Sequence, residues 1–488
     1  MTIKFAPTAL LIAVTVGLFG CGGDKKTETP AKDTQKTSEG AASAAGELAE
    51  KQEIIINNSA EPESLDPHKV SGVPESNLLR QMLVGLTTTD ASGKTIPGMA
   101  TEWSSPDNKV WTFKLRDAKW SNGDPVTAHD FVFSFQRVVD PATVSPYASY
   151  LADVKVVNAQ AIIDGQAKPD TLGVKAIDDK TLEVTLAEPV SYFPDTLFHT
   201  SVKPVNKKVV ETHGDKWISA GNFVANGPYT LKDWKINEYI VLERNKNYYD
   251  DANTTINQVT FLAITQETTD VDRYKAGEVD ITADSLPETQ FQKLKTELGD
   301  QLKVSPKLCT YYYEFNHTKK PFDDVRVRKA LSLALDRETI TDKILNRGEK
   351  PAYQYNPEVI SGMKNYTPEW KSWDKAKRIE EAKKLLTEAG YSTSNPLKFE
   401  LLYNTSETHK KLAVAAASFW KDNLGFVDVS LTNQEWKTYL ETRRQQKFDM
   451  SRGGWCADYN EPSTFLNTFR INNSNNNGKY NNPEFDKL

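Results

Sequence analysis

Short catalytic motifs are missing from this chain of 488 residues. It has no GxxxxGK[ST] phosphate loop, no GxGxxG, no GxSxG nucleophile elbow, no HExxH zinc motif and no EF-hand loop. Its six histidines are scattered without the spacing of metal ligands. These absences count against an enzyme, a resident metal and a cofactor, although a hydrolase need not carry a short motif.

An excess of charge of one sign is also missing. The chain has 60 basic and 66 acidic residues and a net charge of -6, so no basic surplus favours nucleic acid as a partner. With 38% hydrophobic and 26% charged residues, the composition is typical of a soluble globular protein. The length predicts two or three domains. The 10 Trp, 19 Tyr and 20 Phe suit a binding cleft, and they are equally ordinary core material.

Only one long apolar run is present, from Phe5 to Gly20. It is shorter than the roughly 20 residues that a membrane-spanning helix needs, so residues 1–20 are predicted to be a secretory signal peptide. The run ends in Leu-Phe-Gly-Cys, which resembles a bacterial lipobox and implies a lipid on Cys21; the alternative is a plain signal peptide with a chance cysteine. Residues 21–52 are polar and small, which predicts a disordered tether.

Cysteine is scarce: Cys309 and Cys456 are the only ones beyond Cys21. One such pair in an exported chain predicts a disulfide. The bond would close a loop of about 150 residues and contribute about 5 kcal/mol in the entropic model, as an upper figure. Neither cysteine has a CxxC partner or a nearby histidine in the sequence, which argues against a metal site.

Strands and helices alternate in the C-terminal third. Helices are predicted at 374–389, 407–424 and 435–445, and strands at 397–403, 426–431 and from 447 onwards. This alternation is typical of a parallel sheet with covered faces, in which ligands bind beyond the carboxyl ends of the strands. Earlier in the chain, the pattern predicts a strand at 53–58, a helix at 75–86, a hairpin over 229–244 and a strand over 302–315.

The last of these C-terminal strands leads into the segment that carries the most chemical information. Gly453 and Gly454 are predicted to relax the backbone and leave room for a close approach. Trp455, Cys456 and Asp458 follow. A carboxylate just past a strand, beside a large aromatic ring, suits a positively charged group held in a cleft. The alternative is a loop aspartate that makes a local turn hydrogen bond.

Residues 454–462, reading GWCADYNEP, resemble the ligand-gripping segment of the periplasmic oligopeptide-binding proteins of ABC importers, in solute-binding protein family 5. The resemblance extends to 308–314, 401–406 and 433–438. It implies an α/β fold of the two-lobed, Venus-flytrap type (type II), with hinged lobes, mixed sheets and an additional domain. It also implies the bond between Cys309 and Cys456.

The same resemblance implies a domain organisation. Residues 53–83 and 207–308 would form lobe I, residues 84–206 an additional domain II, and residues 309–488 lobe III. Family members normally continue past the position that matches residue 488 and return their last segment to the first lobe. The C-terminal end of this sequence is therefore expected to be incomplete.

Roles for single residues follow from the resemblance, position by position. Asp458 would pair with the free α-ammonium of a peptide. Arg443 and Arg452 would meet the peptide's C-terminal carboxylate or polar groups, and His409 would meet that carboxylate in longer peptides. The residues expected to line the ligand site are Trp436, Leu440, Tyr312, Glu314, Val73, Tyr147, Trp455 and Cys456. Ser71 stands where relatives carry a glutamate, so one pocket is expected to be less acidic. The alternatives are that Tyr147 and Trp436 are packing residues and that Arg443 decorates a helix.

The resulting expectation is a periplasmic or cell-envelope receptor that binds short peptides and delivers them to an inner-membrane ABC permease. It would act as a monomer and reach the membrane through the lipid on Cys21, without a metal, cofactor or nucleic acid. Murein-peptide, dipeptide, haem and nickel-carrier receptors of the same family are the nearest alternatives. An exported hydrolase and a scaffold lipoprotein are alternatives from other classes.

Overall fold

The computed structural model describes residues 48–488, and Glu50–Leu488 form one unit. The predicted signal peptide, Cys21 and most of the predicted tether lie outside the described residues. The strands found in the described part are β1 (Glu53–Asn57), β2 (Thr87–Thr89), β3 (Thr95–Pro97), β4 (Ala100–Ser104), β5 (Val110–Leu115), β6 (Val174–Asp178), β7 (Thr181–Thr185), β8 (Tyr229–Lys235), β9 (Tyr239–Arg244), β10 (Gln258–Leu262), β11 (Cys309–Phe315), β12 (Leu397–Asn404), β13 (Val427–Gln434) and β14 (Met450–Cys456).

Helices separate most of these strands. They are α1 (Val73–Met82), α2 (Ala128–Val139), α3 (Tyr150–Asp153), α4 (Ala159–Ile163), α5 (Lys207–His213), α6 (Glu267–Lys275), α7 (Phe291–Leu298), α8 (Val325–Ala334), α9 (Arg337–Thr339), α10 (Lys375–Glu388), α11 (Glu407–Leu424), α12 (Trp436–Arg444), α13 (Ser463–Leu466) and α14 (Pro483–Asp486). No helix within residues 48–488 is long and apolar enough to cross a membrane.

Three four-stranded sheets organise the structure, with strand orders β1-β10-β9-β8, β4-β5-β7-β6 and β11-β14-β12-β13. The first draws its strands from the segments predicted as lobe I, the second from domain II and the third from lobe III. The predicted hairpin over 229–244 is confirmed as β8 and β9. The residue boundaries of the lobes stay predictions.

The third sheet is mixed rather than wholly parallel. β12 runs parallel to both β13 and β14, as the alternation of strands and helices predicts. β11 joins the sheet antiparallel to β14. The predicted strand over 302–315 is therefore shorter than expected, since β11 begins only at Cys309, where it starts to pair with β14.

Two local predictions need correction. The helix predicted at 75–86 ends at Met82, because Val84 leaves the helix and exchanges two backbone hydrogen bonds with the side chain of Asn226, at 2.9 and 3.0 Å. The strand predicted from 447 onwards begins only at Met450. It runs through both glycines to Cys456, because Gly453 and Gly454 pair with β11.

The described residues contain two large apolar cores. One core is built mainly from residues between Leu65 and Phe261, and the other from residues between Phe322 and Met450. Tyr459, three residues beyond β14, belongs to the first core although β14 belongs to the third sheet, and Trp455 packs against that same core. The aromatic side chains on either side of Asp458 therefore contact the first core.

Candidate functional site

Asp458 lies two residues beyond β14, and its side chain is 10% exposed. Its Oδ1 accepts a hydrogen bond from the Tyr147 hydroxyl at 3.2 Å and lies 3.2 Å from His199 Nε2. Its backbone N–H donates to Thr464 Oγ1 at 2.9 Å. Within residues 48–488, Oδ2 has no hydrogen-bond partner. One carboxylate oxygen thus faces Tyr147 and His199, from the segment predicted as domain II, and the other remains available to a donor.

Aromatic rings surround this carboxylate. Tyr147 stacks on Trp455 with ring centroids 6.1 Å apart, and Tyr150 meets Tyr459 edge-on at 6.2 Å. Burial, and then the negative charge of Asp458, raise the pKa of the Tyr147 hydroxyl well above its ordinary value. Tyr147 therefore stays a neutral donor to Asp458. The rings exclude water, which strengthens any ionic contact that Asp458 makes.

Arg443 already has an anionic partner. Glu314 Oε2 accepts hydrogen bonds from Arg443 Nη2 at 2.7 Å and Nε at 3.2 Å, and from Ser451 Oγ at 3.3 Å. Burial by itself would lower the pKa of Arg443, but Glu314 and nearby tyrosines outweigh it and raise that pKa. A ligand carboxylate would meet this guanidinium only as part of an ion pair.

Arg452 stands in a different environment. It forms no ion pair within the described residues, and its buried Nε has no hydrogen-bond partner. Its guanidinium lies 4.9 Å from the centre of the Tyr311 ring, which also contacts His409 with ring centroids 5.6 Å apart. Burial, followed by the charges of Arg452 and Arg347, lowers the pKa of His409 well below its ordinary value.

His409 is therefore neutral, and its Nδ1 is buried without a partner. Unpaired buried polar atoms are rare in folded proteins and often mark a functional site. Arg452 and His409 together offer an uncompensated cation beside an imidazole. This arrangement suits an anionic ligand group better than Arg443 does.

Gly453 is required by the close approach of an aromatic ring. Tyr312 faces it across the β11–β14 pair, and a Cβ on Gly453 would come within 2.3 Å of Tyr312 Cε2. Tyr312 also meets Tyr355 edge-on at 5.2 Å. The predicted close approach at Gly453 is thus made by a protein side chain, that of Tyr312, which is one of the residues expected to line the ligand site.

The two cysteines lie directly opposite each other in the same strand pair. A disulfide joins Cys309 and Cys456, whose Cα atoms are 4.0 Å apart. The bond ties the end of β14 to the start of β11, two residues before Asp458. Cys456 therefore contributes to the site by fixing this backbone rather than as a free thiol.

The other predicted lining residues are divided between site and core. Trp436 Nε1 donates to Glu75 Oε1 at 3.1 Å, so Trp436 joins α12 to the facing α1. Val73, at the start of α1, is 48% exposed. Leu440 is buried in a small core with Tyr439, which makes it a packing residue in this arrangement.

Several contacts between the lobes involve residues that sequence reasoning missed. Arg444 makes a bidentate pair with Glu63, with both distances 2.7 Å, and donates to Ser71 Oγ at 2.9 Å. Burial, and then the charge of Glu63, raise the pKa of Glu75 to about 7. Ser71, which was predicted to make one pocket less acidic, contacts the Arg444–Glu63 ion pair through Arg444.

A second contact between the lobes joins two helix N-termini. Glu267, at the start of α6, accepts hydrogen bonds from Ser406 Oγ at 2.6 Å and from the backbone N–H of Glu407 at 2.9 Å. Glu407 in turn accepts from the backbone N–H of Thr268 at 2.9 Å. Each glutamate thus caps the other's helix, where a negative charge is favoured. Partners separated by more than a hundred residues leave no local signal in the sequence.

Comparison with known proteins places this chain in a family. Residues 94–477 match the model of bacterial extracellular solute-binding proteins, family 5. The chain is 57% identical to the periplasmic oligopeptide-binding protein OppA of Salmonella typhimurium over 443 residues, which is 91% of this chain and 81% of the relative.

Solved structures agree. The Haemophilus influenzae OppA complex with the peptide RPPGFSPFR superposes with a TM-score of 0.89 at 55% identity, covering 90% of this chain and 87% of that one. The Escherichia coli murein tripeptide binding protein MppA superposes with a TM-score of 0.89 at 47% identity, covering 90% of this chain and 86% of that one. A structure of MppA described as the unliganded open form, also at 47% identity, gives a TM-score of 0.59 and covers 90% of this chain and 85% of that one. The predicted family and its two-lobed fold are confirmed: the chain belongs to the family 5 bacterial extracellular solute-binding proteins.

Proposed function

We propose that this protein is an extracytoplasmic receptor that captures short peptides between its lobes and delivers them to an ABC importer. The observation that carries the proposal is the enclosed Asp458, whose Oδ1 accepts from Tyr147 and lies 3.2 Å from His199 Nε2, while its Oδ2 has no hydrogen-bond partner among the described residues. Relatives 55–57% identical to this chain are named as periplasmic oligopeptide-binding proteins, and OppA of Haemophilus influenzae forms a complex with a nine-residue peptide. Family members are binding proteins, which favours capture over turnover.

The ends of a peptide would meet opposite charges. The α-ammonium would donate to Asp458 Oδ2, a charge-assisted contact that contributes about 1.5–3 kcal/mol. The C-terminal carboxylate would approach Arg452 and His409 rather than the neutralised Arg443. Between these ends, an extended main chain would pair with strand-like protein segments, which is insensitive to side-chain identity.

The conformation is consistent with a receptor that closes around its ligand. The TM-score is 0.59 against an unliganded open form and 0.89 against the peptide complex. The Arg444–Glu63 pair and the reciprocal glutamate caps join the lobes in this arrangement. Closure by hinge motion would form these contacts when a peptide binds, and the closed form would be recognised by the permease.

Blocking the amino group of a peptide tests the proposal. Calorimetry with Ala-Ala-Ala and N-acetyl-Ala-Ala-Ala is expected to show binding of the free peptide and at least tenfold weaker binding of the acetylated one, since acetylation removes the charge that Asp458 would meet. Equal affinities would contradict the assignment of Asp458. Mass spectrometry of the same mixtures shows whether peptide is cleaved, which would favour a hydrolase, and a murein tripeptide added as competitor distinguishes that alternative.

We also propose a signal peptide over residues 1–20 and a lipid on Cys21, through which a monomeric receptor would reach the membrane. The lipobox-like residues before Cys21 support this. Intact-mass measurement of the protein from a bacterial membrane fraction is expected to show a diacyl or triacyl addition. Cys21→Ser should abolish that addition and release the protein from the membrane. A wild-type mass without lipid would refute the anchor.

A further inference from the structure

His199 lies outside the third sheet, in the connection that follows β7. It immediately precedes a short 3-10 helix, Thr200–Val202, and its side chain is 12% exposed. Its Nε2 lies 3.2 Å from Oδ1 of Asp458, in the segment predicted as lobe III. Nothing in the local sequence marks this histidine, because its partner is more than 250 positions away.

The hydrogen-bond partners of His199 define its tautomer. Nδ1 accepts the backbone N–H of Ser201 at 3.2 Å and lies 2.8 Å from Ser201 Oγ. An Nδ1 that accepts a hydrogen bond carries no hydrogen in the neutral ring, so the hydrogen is on Nε2. The hydrogen-bearing Nε2 is therefore the nitrogen that lies 3.2 Å from Asp458 Oδ1.

Two tyrosines hold the plane of the ring. Tyr150 stacks on His199 with ring centroids 4.7 Å apart and 25° between the planes, and Tyr147 lies at 4.6 Å. The Tyr150 hydroxyl is itself bound to the carbonyl of Thr196 at 2.9 Å. The ring cannot turn without breaking these contacts, so the direction of the Nε2–H bond is set before any ligand arrives.

We infer that His199 is a positioning residue for peptide recognition: by holding Oδ1 of Asp458 together with Tyr147, it leaves Oδ2 directed to the ligand's amine and so sets the preference for a free over a blocked N-terminus. This inference rests on the proposed function. The Tyr147 hydroxyl and the Nε2–H of His199 both lie 3.2 Å from Oδ1, so rotating the carboxylate would take this oxygen away from both groups. In the closed form the acceptor is held toward the ligand's amine, which favours an N-terminus that can donate to it.

Two substitutions separate positioning from packing. His199→Phe keeps an aromatic ring between the tyrosines and removes both nitrogens. His199→Gln removes the ring and can place a side-chain N–H near the position of Nε2. Positioning predicts that the glutamine retains function, whereas packing predicts that the phenylalanine does.

The readout is the ratio of the Kd of N-acetyl-Ala-Ala-Ala to that of Ala-Ala-Ala, measured by calorimetry for the wild type and both variants. We expect His199→Phe to reduce this ratio about three- to tenfold and His199→Gln to restore most of it, as the loss and return of one charge-assisted hydrogen bond would do. An unchanged ratio in His199→Phe, or an equal reduction in both variants, would overturn the inference.

The wild-type ratio of affinities distinguishes a failure of the proposed role of Asp458 from a failure of the role of His199 alone. A wild-type ratio near one refutes the proposed role of Asp458, and the positioning role falls with it. A large wild-type ratio that is unchanged in His199→Phe refutes the role of His199 alone. Thermal melting of each unliganded variant shows whether it is folded.

Tyr147→Phe provides a second test if His199→Phe does not fold. This substitution removes the hydroxyl that donates to Asp458 Oδ1, so it is expected to lower the ratio of the two Kd values. An unchanged ratio would count against an oriented carboxylate.

Discussion

Replacing Asp458 by asparagine is expected to weaken binding of a free tripeptide by about ten- to a hundredfold, which corresponds to the loss of one charge-assisted contact. The amide keeps the shape of the carboxylate and an oxygen that Tyr147 and His199 can still hold. The negative charge that would meet the α-ammonium is lost. Calorimetry with Ala-Ala-Ala and its acetylated form measures the change, and the two peptides should bind the variant with similar affinity.

Asp422→Asn is a matched control. Asp422 is exposed on α11, where it accepts a hydrogen bond from Ser418 at 2.8 Å, so its replacement removes the same charge away from the enclosed site. Its peptide affinity is expected to equal that of the wild type. Unchanged affinity in Asp458→Asn would remove this residue from ligand recognition. The melting temperatures of the unliganded variants verify that both are folded.

Asp66→Ala is expected to lower the free energy of unfolding by about 3–5 kcal/mol, because it leaves a buried guanidinium without its anion. Arg137 Nη1 and Nη2 donate to the two oxygens of Asp66 at 2.7 and 2.6 Å, and the Asp66 side chain is only 5% exposed. The His68 backbone N–H also donates to Asp66 at 3.0 Å. The pair joins the loop after β1 to α2, so its loss should loosen the first sheet against the second. Urea unfolding followed by tryptophan fluorescence measures the effect.

The exposed ion pair of Lys69 and Asp215 provides a comparison with the buried pair of Arg137 and Asp66. Lys69 and Asp215 lie 3.1 Å apart, but the Asp215 side chain is 96% exposed, so Asp215→Ala is expected to change the free energy of unfolding by less than about 0.5 kcal/mol. Equal effects of the two substitutions would contradict the structural role of the buried pair.

The pH dependence of the Asp66 effect follows from its pKa. Burial by itself would raise the pKa of Asp66, but the hydrogen bond and charge of Arg137 outweigh burial, and the pKa lies below the ordinary 3.8. A carboxyl whose pKa is lowered by folding stabilises the protein above its unfolded pKa. That contribution is lost as the pH falls through the folded pKa. The difference between wild type and Asp66→Ala should therefore be constant near neutral pH and shrink below about pH 4.

The arrangement of charges explains how ligand capture would be coupled to closure. Asp458 follows a strand of the third sheet, yet the Tyr147 hydroxyl and His199 Nε2 near its Oδ1 come from the segment predicted as domain II. A peptide amine bound at Oδ2 would therefore be enclosed by groups from lobe III and domain II. The Arg444–Glu63 pair and the reciprocal caps of Glu267 and Glu407 add contacts that need the same closed geometry.

Local sequence patterns were sufficient to predict several helices of the C-terminal third. The helix α11 matches its predicted bounds, and α10 and α12 differ by about a residue at each end, because apolar periodicity and capping residues act within a few positions. The sequence predicted that the two glycines relax the backbone, and the structure has both within β14. Glycine is uncommon inside strands, and only the pairing with β11 and the ring of Tyr312 accounts for it here.

The sequence by itself determined the types and order of the elements, the family, and the position of an acidic side chain just after the last strand of a sheet. These depend on local periodicity and on a contiguous motif. Only the tertiary structure decided that Tyr147 and His199 hold Asp458, that Glu314 neutralises Arg443, and that Arg452 keeps an uncompensated charge beside His409. Such pairings arise when distant segments pack and exclude water, since the energy of a charge depends on its neighbours in space rather than along the chain.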